Sequence, residues 1–246
     1  KEMSFNGVKD DLIYMSSLLP YVFIFEGKTY EMNLHGFARK SEFTIAEKTP
    51  SSISMILTDS EEIFAQDPFR FAFTVTHALE GNTVRTEYSV ENRGDAVMPY
   101  ALGGHPGFNV PLGGAGSFSD CYVEFETECA PRQLVFSESF LLTHETADFP
   151  LEGGKILRLH HDLFDDDAIF LENVAKAVTL RSTTTEKFVT VRFDDFCFVG
   201  FWHTPKAETP FVCIEPFNGL PSYDGETDDL LTKRNLTHLT PGAPDT

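Results

Sequence analysis

The sequence predicts an all-β fold, a sandwich or a barrel, on three observations. Short runs of alternating apolar and polar residues recur along most of the chain, with turn residues between them at short intervals. Helical periodicity is nearly absent, its one weak trace lying at residues 226–231. Phe, with 24 residues against 7 Tyr and 1 Trp, dominates the aromatics, which suits sheet faces packed on one another. The 246 residues suffice for one large core, and all-β sandwiches of this length commonly form a single domain.

In chain order, Phe5-Asn6-Gly7-Val8 carries the Asn-Gly hairpin signal, and Leu12-Ile13-Tyr14-Met15 follows it. Residues 21–25 and 28–32 read as strands paired across Glu26-Gly27. His35-Gly36 then interrupts the alternation, and residues 42–46 and 53–58 form a further strand pair. The polar connection 59–67 has room for one helical turn. Residues 69–79 and 84–92 make the clearest hairpin: Phe69, Phe71, Phe73 and Val75 sit two apart, and Glu80-Gly81-Asn82 turns the chain. After a glycine-rich loop at 113–117, strands are expected at 121–125, 133–136, 156–159, 168–171, 177–180, 188–193, 198–202 and 211–215. No internal repeat, linker or low-complexity segment is visible.

The chain is organised around residues 99–112, Pro-Tyr-Ala-Leu-Gly-Gly-His-Pro-Gly-Phe-Asn-Val-Pro-Leu. Gly103 and Gly104 admit unusual backbone angles and close approach of a neighbour. Pro106 fixes its own φ and pushes His105 away from helical geometry. A histidine on a stiff turn at a strand end follows, which suits a structural turn as well as a site.

Composition excludes several classes. With 38 acidic and 19 basic residues, the net charge of −19 repels nucleic acid and anionic membranes. No run of eighteen apolar residues and no secretory leader is visible, so no membrane association is expected. Cys121, Cys129, Cys197 and Cys213 form no CxxC pair, which favours a reduced, cytoplasmic setting. No metal site is expected: His160-His161-Asp162 has ligand residue types without partner spacing. The Gly-x-Ser-x-Gly, Walker and dinucleotide motifs are absent.

The remaining candidates are polar residues set in apolar strands. Phe211, Cys213 and Glu215 share one strand face. A carboxylate there is desolvated and becomes a better base, although Glu215 in that position also suits an exposed strand end or an Arg partner. His105 supplies the complementary group, since imidazole both holds and gives a proton near neutrality. Asp167, last of three consecutive Asp and entry to Ala168-Ile169-Phe170, is a third candidate beside the reading of a solvated acidic loop, and His35 is a fourth.

These pieces resemble the aldose 1-epimerases (galactose mutarotase-like proteins), in particular their LacX-like bacterial branch. The resemblance is carried by His35-Gly36-Phe37-Ala38-Arg39, Gly103-Gly104-His105-Pro106-Gly107-Phe108-Asn109, Asp167-Ala168 and Ile214-Glu215-Pro216, in that order. It covers most of the chain, and the Gly-Gly-His-Pro piece is the most specific. It implies a large twisted antiparallel β-sandwich, the galactose mutarotase-like supersandwich, as a single domain over residues 1–246. It implies an isomerase that interconverts the α and β anomers of a free hexose. Glu215 would be the general base at the anomeric hydroxyl, and His105 the general acid at the ring oxygen. His35 and Asp167 would bind sugar hydroxyls. No cofactor is required, because both steps are proton transfers. The expected partner is a small-molecule sugar, with no nucleic acid or membrane, and the protein would be a monomer or homodimer.

The chain departs from the family in two respects. The Gly-Arg pair that usually precedes the His-Gly segment is absent, and Leu19-Pro20-Tyr21-Val22 runs straight into Phe23. By the resemblance, the family's first strand would precede Lys1 and its last would follow Thr246, so segments missing at both ends and near residues 17–23 are expected. Two alternatives share the scaffold. One is a hexose 6-phosphate 1-epimerase, for which Arg39, Arg70 and Arg132 are scattered candidates; the other is a non-catalytic carbohydrate-binding protein.

Overall fold

A computed structural model describes residues 14–15, 22–32 and 35–246. The Asn6-Gly7 hairpin, Leu12-Ile13 and most of the segment 17–23 lie outside the described residues. The architecture is all-β, in largely antiparallel sheets, with Asp228–Asp229 parallel to Val22–Phe25, and the chain divides into two compact units.

One unit comprises Tyr14–Leu102 and Gly219–Thr246. Its main sheet has five strands in the order Pro244–Asp245, Thr83–Asn92, Phe71–Glu80, Ser52–Thr58 and Thr44–Lys48. The long hairpin forms as its alternation demands: Glu80 pairs with Thr83, and Phe71, Phe73 and Val75 are fully buried. The expected helical turn is Glu61–Phe64, capped by the Ser60 hydroxyl, which accepts from the Ile63 amide. Val22–Phe25 pairs with Lys28–Glu31 across Glu26 and Gly27, whose positive φ of 49° and 74° suit a two-residue hairpin turn.

The weak helical pattern at 226–231 is not a helix. Asp228–Asp229 pairs in parallel with Val22–Phe25. The Asp229 carboxylate accepts from the Leu231 amide, a local bond that competes with helix formation.

The other unit contains Gly103–Asn218. Ile156–Arg158, Cys121–Phe125, Ala177–Ser182 and Val189–Arg192 form one sheet. Phe211–Asn218, Phe198–Trp202, Ile169–Glu172, Arg132–Phe136 and Leu142–Asp148 lie side by side in the second, with Gly107–Asn109 on the outer side of Phe211–Asn218. The two sheets share a core. Val123, Phe125, Val178 and Leu180 come from the first; Ile169, Leu171, Val199, Phe201, Val212 and Ile214 come from the second. Because side chains alternate, Cys213 and Glu215 lie on the face of the second sheet opposite to that core.

Two details of the sequence reading change: the backbone angles of Gly103 and the end of the last long strand. Gly103 does not have left-handed backbone angles. It is needed for closeness: a Cβ there would sit 2.2 Å from Cδ1 of Phe217 and 3.1 Å from the Pro216 carbonyl oxygen. The last long strand also does not end at Glu215 but continues through Pro216 to Asn218. The Pro216 carbonyl accepts from the Gly104 amide at 3.0 Å, so the missing N–H of Pro216 faces the interrupted side of the strand. Its other side pairs without a break with Phe198–Trp202.

Candidate active site

The site is set by strand register. Gly107 pairs with Cys213, Phe108 with Val212 and Asn109 with Phe211. The Ile214 amide donates to the Pro106 carbonyl at 3.2 Å, and the Gly104 amide to that of Pro216. These bonds carry the register two residues further and put His105 opposite Glu215, between two hydrogen-bonded pairs. Side chains come closest at such a position. His105 Nε2 accordingly lies 3.0 Å from Glu215 Oε1, although the approach lacks hydrogen-bond alignment and Oε1 has no aligned donor.

The surrounding face is aromatic and almost dry. Glu215 is 3% exposed and Cys213 4%. Gly200 lies opposite Glu215 and Trp202 opposite Cys213. A Cβ on Gly200 would meet Phe217, Phe170 and the Glu215 Cβ, so this glycine makes room for the carboxylate. The Trp202 ring stands edge-on to His105, with centroids 5.6 Å apart. Its Nε1–H donates to Asp167 Oδ1 at 2.8 Å.

Asp167 leaves the acidic run in a particular way. Asp165 and Asp166 are exposed, whereas Asp167 is partly buried with φ of 84°. A non-glycine residue pays about 1–2 kcal/mol for that conformation. The Asp167 amide on the Phe164 carbonyl and its carboxylate on Trp202 hold it there.

Electrostatics follow from burial. Loss of solvent pushes the Glu215 carboxyl above the ordinary carboxylate range; His105 opposes that rise and the Asp167 charge adds to it. Burial first, and the Glu215 charge second, push the Cys213 thiol up. Such a face can hold a proton on carboxyl or imidazole and move it to a bound molecule.

Of the four residues singled out in the sequence, Glu215, His105 and Asp167 lie in this unit, with Trp202 linking His105 to Asp167. His35 belongs to the other unit, where it has φ of 68° beside Gly36 at 66°. His105 and Glu215 are direct neighbours on one sheet face. Trp202 and Cys213 escaped the sequence reading as site residues. The usable signal was that the single Trp of the chain ends the strand after Gly200. The His160-His161 pair lies elsewhere in the unit: His160 meets Asp162 at 2.6 Å, and His161 stacks on Phe118 and lies 3.2 Å from His203.

The aldose 1-epimerase family profile matches residues 19–226. The chain belongs to the aldose 1-epimerase family. Within it, the chain is similar to the protein LacX of Lactococcus lactis subsp. lactis, at 35% identity over 210 residues, 84% of this chain and 70% of that protein. Two solved structures are similar throughout. A galactose mutarotase related enzyme from Lactobacillus acidophilus has 30% identity and a TM-score of 0.88, over 95% of this chain and 79% of that one. A galactose mutarotase-like protein from Lactobacillus casei has 32% identity and a TM-score of 0.87, over 95% and 81%. The fold is thus the galactose mutarotase-like β-fold of the aldose 1-epimerase family. No helix among the described residues is long and apolar enough to cross a membrane.

Proposed function

We propose that the protein is a mutarotase that interconverts the α and β anomers of a free hexose, with Glu215 as general base and His105 as general acid. The observation that carries this is the 3.0 Å approach of the two groups on one buried, aromatic-lined sheet face. Anomer exchange requires a proton acceptor at the anomeric hydroxyl and a donor at the ring oxygen. Both oxygens are bonded to the same carbon, so neighbouring groups can serve them together.

In ring opening, Glu215 takes the hydroxyl proton and protonated His105 gives one to the ring oxygen. The C1–O5 bond breaks and the carbonyl forms. Rotation about C1–C2 presents the other carbonyl face. In closure His105 recovers its proton from the C5 hydroxyl, Glu215 returns its own to the anomeric oxygen, and C1–O5 re-forms. The cycle restores both groups, so no outside proton carrier or cofactor is needed. Each transfer is worth about 10²–10⁴-fold. Asp167, steadied by Trp202, is assigned to sugar hydroxyls, and His35 to the same role from the resemblance alone.

For a phosphorylated hexose, two of the three candidate cations, Arg39, Arg70 and Arg132, are already engaged. Arg70 is paired with Asp59 at 2.6 Å, and Arg132 is bonded to Asp148 and Thr146. The test is polarimetry of freshly dissolved α-D-glucose and α-D-galactose. Acceleration that is lost in Glu215→Gln and His105→Asn is the expected result. No acceleration over buffer across common aldoses rejects the activity, and sugar binding without exchange points to a non-catalytic binding protein.

A further inference from the structure

The Cys213 thiol has no part in the proton transfers, yet it lies beside both groups that do. One ligand atom each from His105, Cys213 and Glu215 fall within 4.8 Å of one another. Tetrahedral zinc bound by nitrogen, oxygen and sulfur at about 2.0–2.3 Å sets its ligand atoms roughly 3.3–3.5 Å apart. Small side-chain rotations close the difference. Two independent features favour an ion here. Oε1 of Glu215, on a side chain only 5% exposed, has no aligned donor. Next to the sulfur, Gly107 leaves space: a Cβ there would meet only Cys213 Sγ, at 3.6 Å.

We propose that His105, Cys213 and Glu215 form a binding site for a zinc-type divalent cation, with a fourth position open to water, and that occupation blocks the acid–base pair. Binding replaces the S–H bond by a metal–sulfur bond and releases the thiol proton to solvent. The resulting thiolate and carboxylate together balance the charge of a dication in a dry environment. The donor set selects zinc, cobalt and cadmium over magnesium and calcium, which prefer oxygen ligands alone. The metal uses the imidazole lone pair and the carboxylate that proton transfer requires. The blocking half of the proposal rests on the proposed function; the binding half does not.

The experiment titrates the reduced, metal-free full chain with Co²⁺, followed by thiolate-to-cobalt absorption, and then displaces cobalt with Zn²⁺ against a chromogenic chelator. One equivalent with a thiolate band is expected. Loss of an outer-shell partner of a metal site costs about 10–100-fold, so Cys213→Ser and Glu215→Gln should each weaken Zn²⁺ by at least about a hundredfold. Cys197→Ser, at an exposed free thiol, should change nothing. Melting curves check that the variants fold, and Cys213→Ala repeats the test if the serine variant does not. A thiolate band that survives in the Cys213 variant, or wild-type affinity no higher than that of the variant, overturns the site. Where aldose exchange is measurable, Zn²⁺ should abolish it and a chelator restore it; exchange that continues in zinc-saturated protein overturns the blocking. A chain without exchange activity but with the expected cobalt spectrum keeps the metal site and removes the mutarotase reading.

Discussion

Replacing Glu215 by Gln should move activity and stability in opposite directions. The side chain keeps its shape and loses its charge. In the wild type that charge is buried, with Oε1 lacking an aligned donor, and burial outweighs the nearby imidazole in setting the carboxyl's affinity for a proton. Gln still buries a polar amide there, so what the substitution relieves is the desolvation of the charge. In a chain of this size the variant should melt higher at pH 8, by about 2–4 °C for each kcal/mol of that cost. A carboxyl whose folded pKa lies above its unfolded value holds its proton more tightly in the folded state. That group therefore costs no stability at low pH, and its cost grows as pH rises from about 4.3 through the folded pKa. The gain from Gln should shrink towards zero at pH 4. Over the same change, aldose exchange should fall by about 10²–10⁴-fold. Thermal melts at pH 4 and pH 8, with polarimetry on the same samples, check both halves. A lower Tm at pH 8 would mean that the His105 contact, not desolvation, governs this carboxyl. Retained activity would put the base elsewhere.

Three further outcomes are expected. Asp67 is 4% exposed, its Oδ1 lacks a donor, and burial pushes its pKa up to about 7 from 3.8; the wild type should therefore lose roughly 4 kcal/mol of stability as pH rises through that window. Asp67→Asn should flatten this dependence in melts between pH 4.5 and 8, and an unchanged slope would contradict it. Trp202→Phe removes the donor to Asp167, a bond to a charged group worth about 1.5–3 kcal/mol; kcat/KM should drop about 10–100-fold, mainly through KM, whereas a fall in Tm with KM unchanged would make the bond merely structural. Gly103→Ala drives a methyl into Phe217 and should cost about 1–3 kcal/mol, read as a lower Tm; an unchanged Tm would show that the close approach is dispensable.

Much of the strand pattern was legible because period-2 alternation reports directly on which face is buried. Cys121–Phe125 has the bounds that its alternation predicts, and Phe198–Trp202, a continuous apolar run buried on both faces, also has the expected bounds. Leu142–Asp148 was not legible: after Leu142 its side chains are largely exposed, and it lies at the edge of its sheet, so no alternation marks it. The end of the last long strand was misplaced because proline normally stops a ladder, and its tolerance here depends on a neighbour that the local sequence does not reveal. In the site, Glu215 and His105 were visible as polar residues among apolar ones. Their separation was not, because it is fixed by pairing between segments more than a hundred residues apart. Cys213 was legible as a neighbour of Glu215 on one strand face, but not its approach to His105, which comes from that same long-range pairing.

The sandwich core explains how two backbone segments can place reacting groups without a dedicated loop. A slip of one residue in the pairing would turn every side chain of Phe211–Asn218 to the opposite face. It would bury Glu215 among Val123, Phe125 and Leu180 and take Val212 and Ile214 out of the core they fill. Val212 and Ile214 are both fully buried in that core, and a carboxylate put in their place without a partner would cost several kcal/mol. The register is therefore held by several kcal/mol at this strand alone. The interrupted partner segment needs only two amide bonds, Gly104 to Pro216 and Ile214 to Pro106, to inherit it. Apolar residues on the far side of the sheet thus fix where imidazole meets carboxylate, and the site face is free to carry groups chosen for proton chemistry instead of packing.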